Sequence, residues 1–159
     1  MADTLIAYFT WSGNSAHLAQ RIQRCTDGDL FHIRTQQSYP KSYPMTVSRA
    51  YKELQQHLWP ELAEQVEHPE QYDQLYLVYP NWCGTLPMAV SAFLSETPFA
   101  DCTIHPLCTS GGSGMARSVA DIASLCPDAA LKPGLLVSDR ATQAPETEEA
   151  IRKWVSEGR

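Results

Sequence analysis

Three short segments of the sequence are rich in residue types that hold anions and planar ligands. They are residues 10–15, Thr-Trp-Ser-Gly-Asn-Ser; residues 80–86, Pro-Asn-Trp-Cys-Gly-Thr-Leu; and residues 109–114, Thr-Ser-Gly-Gly-Ser-Gly. Hydroxyl, amide and backbone N–H groups donate hydrogen bonds to a phosphate, and an indole offers a large flat face on which a ring can stack. The segments therefore predict a binding site for a small ligand, and we assign no catalytic residue to them.

The first segment fits an anion site at the start of a helix. Its side chains supply donors at Thr10, Ser12, Asn14 and Ser15, and Gly13 allows close backbone approach. The first 20 residues contain no Lys or Arg, and the G-x-x-x-x-G-K-[ST] pattern of nucleotide triphosphatases is absent from the sequence. A phosphate would thus be held by backbone and hydroxyl groups. For this segment alone, an ordinary helix cap by Ser12 or Asn14 is the alternative.

Metal and disulfide chemistry are not favoured by the sequence. The cysteines are Cys25, Cys83, Cys102, Cys108 and Cys126. They form an odd set without a C-x-x-C pair, and the histidines are scattered, so we predict no metal site and a reducing, cytoplasmic location. Cys83 alone could be a redox thiol; the alternative is a small buried apolar residue.

Each of the three segments follows a predicted strand. The predicted strands cover residues 4–9, 30–33, 75–79, 103–108 and 134–138. Continuous apolar runs of this kind are typical of parallel strands buried on both faces. Pro106 lacks a backbone donor, so we expect a bulge or a short strand there.

Apolar residues recur at helical spacing between the strands, in residues 18–25, 47–58, 62–66, 87–94, 115–126 and 150–155. We expect residues 35–44 to form a loop because Tyr39 and Tyr43 each precede a proline, which disfavours helical geometry. The helix that follows, interrupted at Pro60, is expected to bury one apolar face. That face comprises Val47, Ala50, Tyr51, Leu54 and Leu58.

Alternating strands and helices predict one α/β domain over residues 1–159, with a parallel sheet covered on both faces. In such a sheet the strand-to-helix loops emerge at the carboxyl edge, where ligands bind. The net charge of −6 and the pI near 5.3 argue against nucleic acid or an anionic membrane surface as a partner. No apolar run approaches the about 20 residues of a spanning helix.

The combination of T-W-S-G-N-S, P-N-W-C-G-T-L-P and T-S-G-G-S-G resembles the flavodoxin family, in particular its Flavodoxin_4 branch, over nearly the whole chain. The resemblance implies a three-layer sandwich with a five-stranded parallel sheet in the order 2-1-3-4-5, and FMN as cofactor. The chain leaves no room for the roughly 20-residue insertion in the fifth strand of long-chain flavodoxins, because the last two helices lie too close together.

By this resemblance, residues 10 and 12–15 match the phosphate loop, residues 81–84 the loop beside the isoalloxazine, and residues 109–114 the loop around the pyrimidine edge. The cofactor-binding candidates are Thr10, Trp11, Ser12, Gly13, Asn14, Ser15, Pro80, Asn81, Trp82, Cys83, Gly84, Thr109, Ser110, Gly111, Gly112, Ser113 and Gly114.

Several aromatic residues could shape such a site. Trp82 is the main stacking candidate, with core packing under the loop as the alternative. Trp11 could shield the cofactor or lie at the surface, and Tyr39 or Tyr43 could close over the site or simply flank turns. Relatives often carry a second aromatic residue at the position of Cys83, so stacking on one side or on both remains open.

The resulting function hypotheses differ in what meets the flavin. The first is an electron carrier between redox partner proteins, a reductase and an acceptor, working one electron at a time as a monomer or homodimer. Gly84 would rotate its peptide toward flavin N5, and the acidic charge would lower the potential of the bound flavin. The alternatives are an FMN-dependent NAD(P)H or quinone reductase, and a flavin-binding module without turnover.

Overall fold

A parallel sheet forms the centre of the protein. Within residues 3–99 and 101–158, which the computed structural model describes, its strands are β1 Thr4–Tyr8, β2 Asp29–His32, β3 Gln74–Pro80, β4 Thr103–Ser110, β5 Ala130–Leu131 and β6 Leu135–Ser138. The strand order is β2-β1-β3-β4-β5, and β6 also pairs with β4. This order confirms the prediction 2-1-3-4-5, and all five strand pairings are parallel, as expected.

Helices cover both faces of this sheet. They are α1 Asn14–Thr26, α2 Tyr43–Gln55, α3 Met88–Glu96, α4 Ser118–Leu125 and α5 Pro145–Gly158. Successive strand residues point to opposite faces, so Ile6 packs in the cluster of α1 and α5, whereas Leu5 and Ala7 pack with α3 and α4. The three-layer sandwich is therefore confirmed.

The fifth position of the sheet is shared by two short strands. β5 pairs with Thr103 and Ile104 at the start of β4, and β6 pairs with the last four residues of β4. The sequence predicted only the second of them. Lys132, in the connection between them, still donates its N–H to the carbonyl of Ile104 at 2.9 Å.

The expected bulge or shortening at Pro106 is wrong. β4 runs for eight residues without interruption, and Pro106 pairs in register with Leu77. Backbone groups of alternate strand residues point to the same side, so Pro106 and Ile104 both face the fifth position. Because β5 has ended and β6 has not begun opposite Pro106, the missing N–H breaks no ladder bond.

The region around α2 also differs from expectation. Tyr43 and Pro44 form the first turn of the helix, where the missing N–H of proline is tolerated. The helix ends at Gln55, before Leu58, and residues 62–66 are not helical.

The buried side of α2 was predicted correctly only at Ala50. Its buried residues are Thr46, Ala50 and Glu53, whereas Val47 and Tyr51 are exposed. Polar bonds to the preceding loop explain this orientation: the Thr46 hydroxyl donates to the Pro40 carbonyl at 2.6 Å, and Glu53 Oε1 accepts from the Tyr39 hydroxyl at 2.5 Å.

No helix in the described residues is both long enough and apolar enough to cross a membrane.

Candidate functional site

The carboxyl ends of β1, β3 and β4 open into one cavity of about 610 Å³, which we call the edge cavity. Thirteen of the predicted site residues line it. They are Thr10, Trp11, Ser12, Asn14, Ser15, Pro80, Asn81, Trp82, Thr109, Ser110, Gly111, Gly112 and Ser113. The structure thus brings the three segments together, as the sheet direction required. Gly13, Cys83, Gly84 and Gly114 are not among the lining residues and instead shape the loops.

The first loop presents the start of α1 to the edge cavity. Gly13 is the N-cap residue at φ 102°, a conformation that favours glycine, and its N–H donates to the Thr10 hydroxyl at 2.9 Å. Because Gly13 occupies the N-cap position, neither Ser12 nor Asn14 is the helix cap, and both line the edge cavity. First-turn N–H groups have no partner within a helix, so this end of the cavity suits an anion.

The second loop is a tight turn over residues 82–85. The N–H groups of Trp82 and Thr85 donate to each other's carbonyls at 3.0 and 3.1 Å. Cys83 and Gly84 have φ values of 55° and 82°, as in a type I′ turn. The Gly84 N–H donates to Asn81 Oδ1 at 3.1 Å, so rotation of the Cys83–Gly84 peptide would break this bond.

Cys83 is exposed at the tip of this turn, which excludes the buried alternative. Desolvation of the thiol raises its pKa above the ordinary value. The thiol is therefore protonated at neutral pH and is a weak nucleophile.

The third loop is organised by one hydroxyl. Ser110 Oγ accepts hydrogen bonds from the N–H groups of Gly112, Ser113 and Gly114 at 3.1, 2.9 and 3.1 Å. The Asn81 amide crosses from the second loop and donates to the Gly114 carbonyl at 2.6 Å. The two loops are thus held at a fixed separation across the edge cavity.

Aromatic rings form one wall of the site. Trp82 packs edge-on against Phe9 and Tyr39, with both ring centroids 5.1 Å from its own. On another side, the Trp11 indole N–H donates to the Pro40 carbonyl at 2.9 Å, and Tyr43 lies 6.0 Å from the Trp11 ring. Tyr43 lines the edge cavity, whereas Tyr39 is not among its lining residues and contacts Trp82 edge-on.

Tyr39 is in turn held by α2. Its hydroxyl donates to Glu53 Oε1 at 2.5 Å, and the Arg49 guanidinium lies 3.9 Å from its ring centroid. Burial, followed by the hydrogen bond to Glu53, raises the pKa of Tyr39, so its hydroxyl remains a donor at neutral pH. Trp82 therefore rests on a residue that cannot easily move.

Comparison with known proteins gives the family. A family model described as Flavodoxin, Flavodoxin_4, matches residues 3–158. The chain belongs to the flavodoxin family. No curated protein sequence matches this flavodoxin.

Solved structures share the fold of this flavodoxin over almost its full length. A putative flavoprotein from Bacteroides eggerthii is 27% identical with a TM-score of 0.84, covering 98% of this chain and 97% of its own. A flavoprotein from Lactobacillus acidophilus, solved in complex with FMN, is 18% identical with a TM-score of 0.74, covering 98% and 99%. A Fusobacterium nucleatum flavodoxin bound to flavin mononucleotide is 15% identical with a TM-score of 0.55, covering 99% and 96%.

A second cavity of about 680 Å³ adjoins the edge cavity of this flavodoxin on the side of β2. The two share Thr10, Trp11 and Ser12 in their walls. Arg34 and Lys41 line the second cavity, and none of its described lining residues is Asp or Glu. Arg34 also forms an ion pair with Glu64.

Sequence reasoning missed one residue of the edge cavity and left another undecided. Asp139 lies just after β6 and reaches the wall beside Gly111, but no sequence pattern signals it. For Tyr43 the sequence left two roles open, closing over the site or flanking a turn. Tyr43 lines the cavity because it is the first residue of α2. Pro44 was the sequence feature that could have indicated this helix start, because proline is favoured in the first turn of a helix.

Proposed function

We propose that this flavodoxin binds FMN in the edge cavity and carries electrons, one at a time, between protein partners. The observation that carries the proposal is the arrangement of the cavity: a helix N-terminus with hydroxyl groups at one end, and Trp82 with the Ser110-capped loop at the other. A phosphate and a planar ring joined by a polar chain match these two ends.

The residues present fit FMN. The start of α1, with Ser12 and Ser15, would hold the phosphate without any lysine or arginine. Trp82 would support one face of the ring, and the loop of Gly111 and Gly112 would lie at its polar edge. FMN would supply the redox chemistry, and the chain would supply binding, orientation and control of potential.

Two further observations support the proposal. The Lactobacillus acidophilus and Fusobacterium nucleatum proteins of the same fold were solved with FMN. The net charge of −6 would disfavour an extra electron on the cofactor and thereby lower its potential, as suits a reducing carrier.

The first test is titration of the purified protein with FMN, followed by its visible spectrum and flavin fluorescence. We expect quenching of the fluorescence on binding, and a loss of about tenfold or more in affinity for Trp82→Ala. Trp59→Ala is the matched control, because Trp59 is exposed and does not line the edge cavity. Failure of FMN to bind would overturn the proposal.

The second test is a potentiometric titration of the FMN-bound protein. Two separate one-electron steps are expected. A single two-electron step would contradict one-electron transfer while leaving FMN binding intact.

The second cavity favours one other candidate, an FMN-dependent reductase of a small molecule. Its volume and its Arg34 and Lys41 would suit an anionic substrate beside the flavin. Steady-state oxidation of NADPH with a quinone acceptor separates the two functions, since the reductase predicts catalytic turnover that Arg34→Gln reduces.

A further inference from the structure

Exposed apolar side chains are concentrated around α2. Of the nine large apolar residues in the described chain that are exposed by more than a third, six lie between positions 43 and 59. Tyr43, Val47 and Tyr51 are spaced by four residues, so they follow one side of the helix. They are 68%, 42% and 56% exposed, and we call them the α2 stripe. Clustered exposed apolar residues mark interaction surfaces.

The α2 stripe begins at the wall of the edge cavity. Tyr43 lines that cavity and lies against Trp11. Tyr51 is eight residues further along the helix, which corresponds to about 12 Å at 1.5 Å per residue. A protein that covered the stripe would therefore also reach the rim of the cavity.

The charge around the stripe is opposite to that of the whole chain. Lys41, two residues before Tyr43, and Lys52, next to Tyr51 in the sequence, are both exposed. Glu53 is the only carboxylate of residues 41–60, and it is 7% exposed and paired with Arg49 at 3.1 Å. Glu61, the next carboxylate, shares a hollow with Arg49 and Glu53, which lie on the side of α2 away from the stripe. Among residues 41–60 the exposed charges are thus the cations Lys41 and Lys52, on a protein of net charge −6, and the exposed carboxylate of Asp139 lies on the wall of the edge cavity and not on α2.

We propose that the α2 stripe is the docking surface for a redox partner protein whose own surface is apolar and bordered by carboxylates. This inference rests on the proposed function and reverses the expectation from net charge, which favours a basic partner. A second copy of the chain fits less well. A two-fold symmetric contact over the stripe would bring the lysines at positions 41 and 52 of the two copies close together. Residues 41–60 supply no exposed carboxylate to lie between these like charges.

The test uses the FMN-bound, reduced protein and the soluble haem domain of cytochrome b5, an acidic one-electron acceptor. Each ferric haem takes one electron from the reduced flavoprotein and becomes ferrous, which is followed by absorbance. Val47→Glu and Tyr51→Glu should each lower the second-order rate constant by about tenfold or more. Leu136→Glu is the control, because Leu136 is 47% exposed on β6 and the change adds the same charge away from α2. It should alter the rate by less than twofold.

The charge border is tested with Lys41→Gln and Lys52→Gln. They should slow reduction of cytochrome b5 but not of cytochrome c, a basic acceptor. Equal effects of Val47→Glu and Leu136→Glu, or equal effects of the lysine changes on both cytochromes, would overturn the proposal. A wild-type dimer that Val47→Glu converts to a monomer would assign the stripe to a second copy instead. Absence of FMN binding, read from the spectrum before any cytochrome is added, would overturn both this inference and the proposed function.

Discussion

Cys83 occupies a backbone conformation that its side chain disfavours. At φ 55° it is one of two left-handed residues in the turn of residues 82–85, and the other is Gly84 at φ 82°. Type I′ turns prefer Asn-Gly at these positions because asparagine tolerates the left-handed region. The backbone of Cys83 is therefore strained. In the proposed site Cys83 shapes the turn, and its thiol has no role.

Cys83→Asn should consequently stabilise the protein. We expect the free energy of unfolding to rise by about 0.5–1 kcal/mol, measured by urea denaturation. Gly84→Ala should lower it by about 1 kcal/mol or more, because alanine is strained at φ 82°. A destabilised Cys83→Asn protein would show that the turn is not of this type.

Ser110 is a second residue whose effect exceeds its size. Replacement by alanine leaves three backbone N–H groups without their acceptor. We expect Ser110→Ala to cost about 1–3 kcal/mol of stability and to weaken FMN binding by about tenfold, as measured by denaturation and fluorescence titration. Ser113→Ala is the matched control, since it removes a hydroxyl from the same loop that bonds Asn81 Nδ2 at 3.1 Å and Ser110 Oγ at 3.2 Å but is the acceptor of no backbone N–H in the described residues. Similar losses in both variants would contradict this role of Ser110.

Among the elements, β4 carries a buried titratable group. His105 is 1% exposed, stacks on Tyr76 with centroids 4.3 Å apart, and hydrogen bonds Gln74 Oε1 through Nε2 at 2.7 Å. Burial, assisted by the charge of Lys132, lowers the pKa of His105 to about 4. The folded protein therefore keeps this imidazole neutral over a range in which the unfolded chain protonates it.

Acid should weaken the fold through β4. Below pH 6.5 the unfolded state binds a proton that the native state does not bind until about pH 4. The stability present above pH 6.5 should fall by up to about 3 kcal/mol between these values. Urea denaturation of wild type and His105→Phe between pH 7.5 and 4.5 isolates the effect, because only the wild type should show this component. Parallel pH profiles would contradict it.

The strands and helices were predictable to different degrees. Continuous apolar runs located β1, β3 and β4, and the direction of parallel strands brought the three ligand segments to one edge. The buried face of α2 was not predictable from hydrophobicity, because hydrogen bonds of Thr46 and Glu53 to residues 39 and 40, in the loop before the helix, orient it. The tolerance of Pro106 depends on the gap between β5 and β6, which is a property of the assembled sheet.

The same limit applies to the site. Residues within the three segments could be found from their types and spacing, whereas Asp139 comes to the wall only through the pairing of β6 with β4. Tyr39 was a candidate for the site itself, but it lines the second cavity, where its hydroxyl bonds Glu53 and its ring packs edge-on against Trp82.

At the scale of the whole molecule, the net charge of −6 repels negative charge added to the cofactor. Salt screens this repulsion. Raising the ionic strength from about 10 to 500 mM should therefore raise the potential of the bound flavin by about 20 mV or more. Potentiometry of the FMN-bound protein checks this, with free FMN under the same conditions as the reference. A potential that shifts no more than that of free FMN would exclude the global charge as a determinant.

The division of the fifth sheet position into β5 and β6 also provides a point at which residues can be inserted. Lys132 is anchored to Ile104, and the Trp154 indole donates to the Pro133 carbonyl at 3.0 Å, so the peptide between Lys132 and Pro133 is fixed on both sides. New residues inserted at this peptide would leave β5 and β6 paired with β4. An evolving or engineered lineage could thus acquire an added recognition loop there while the edge cavity kept its present shape.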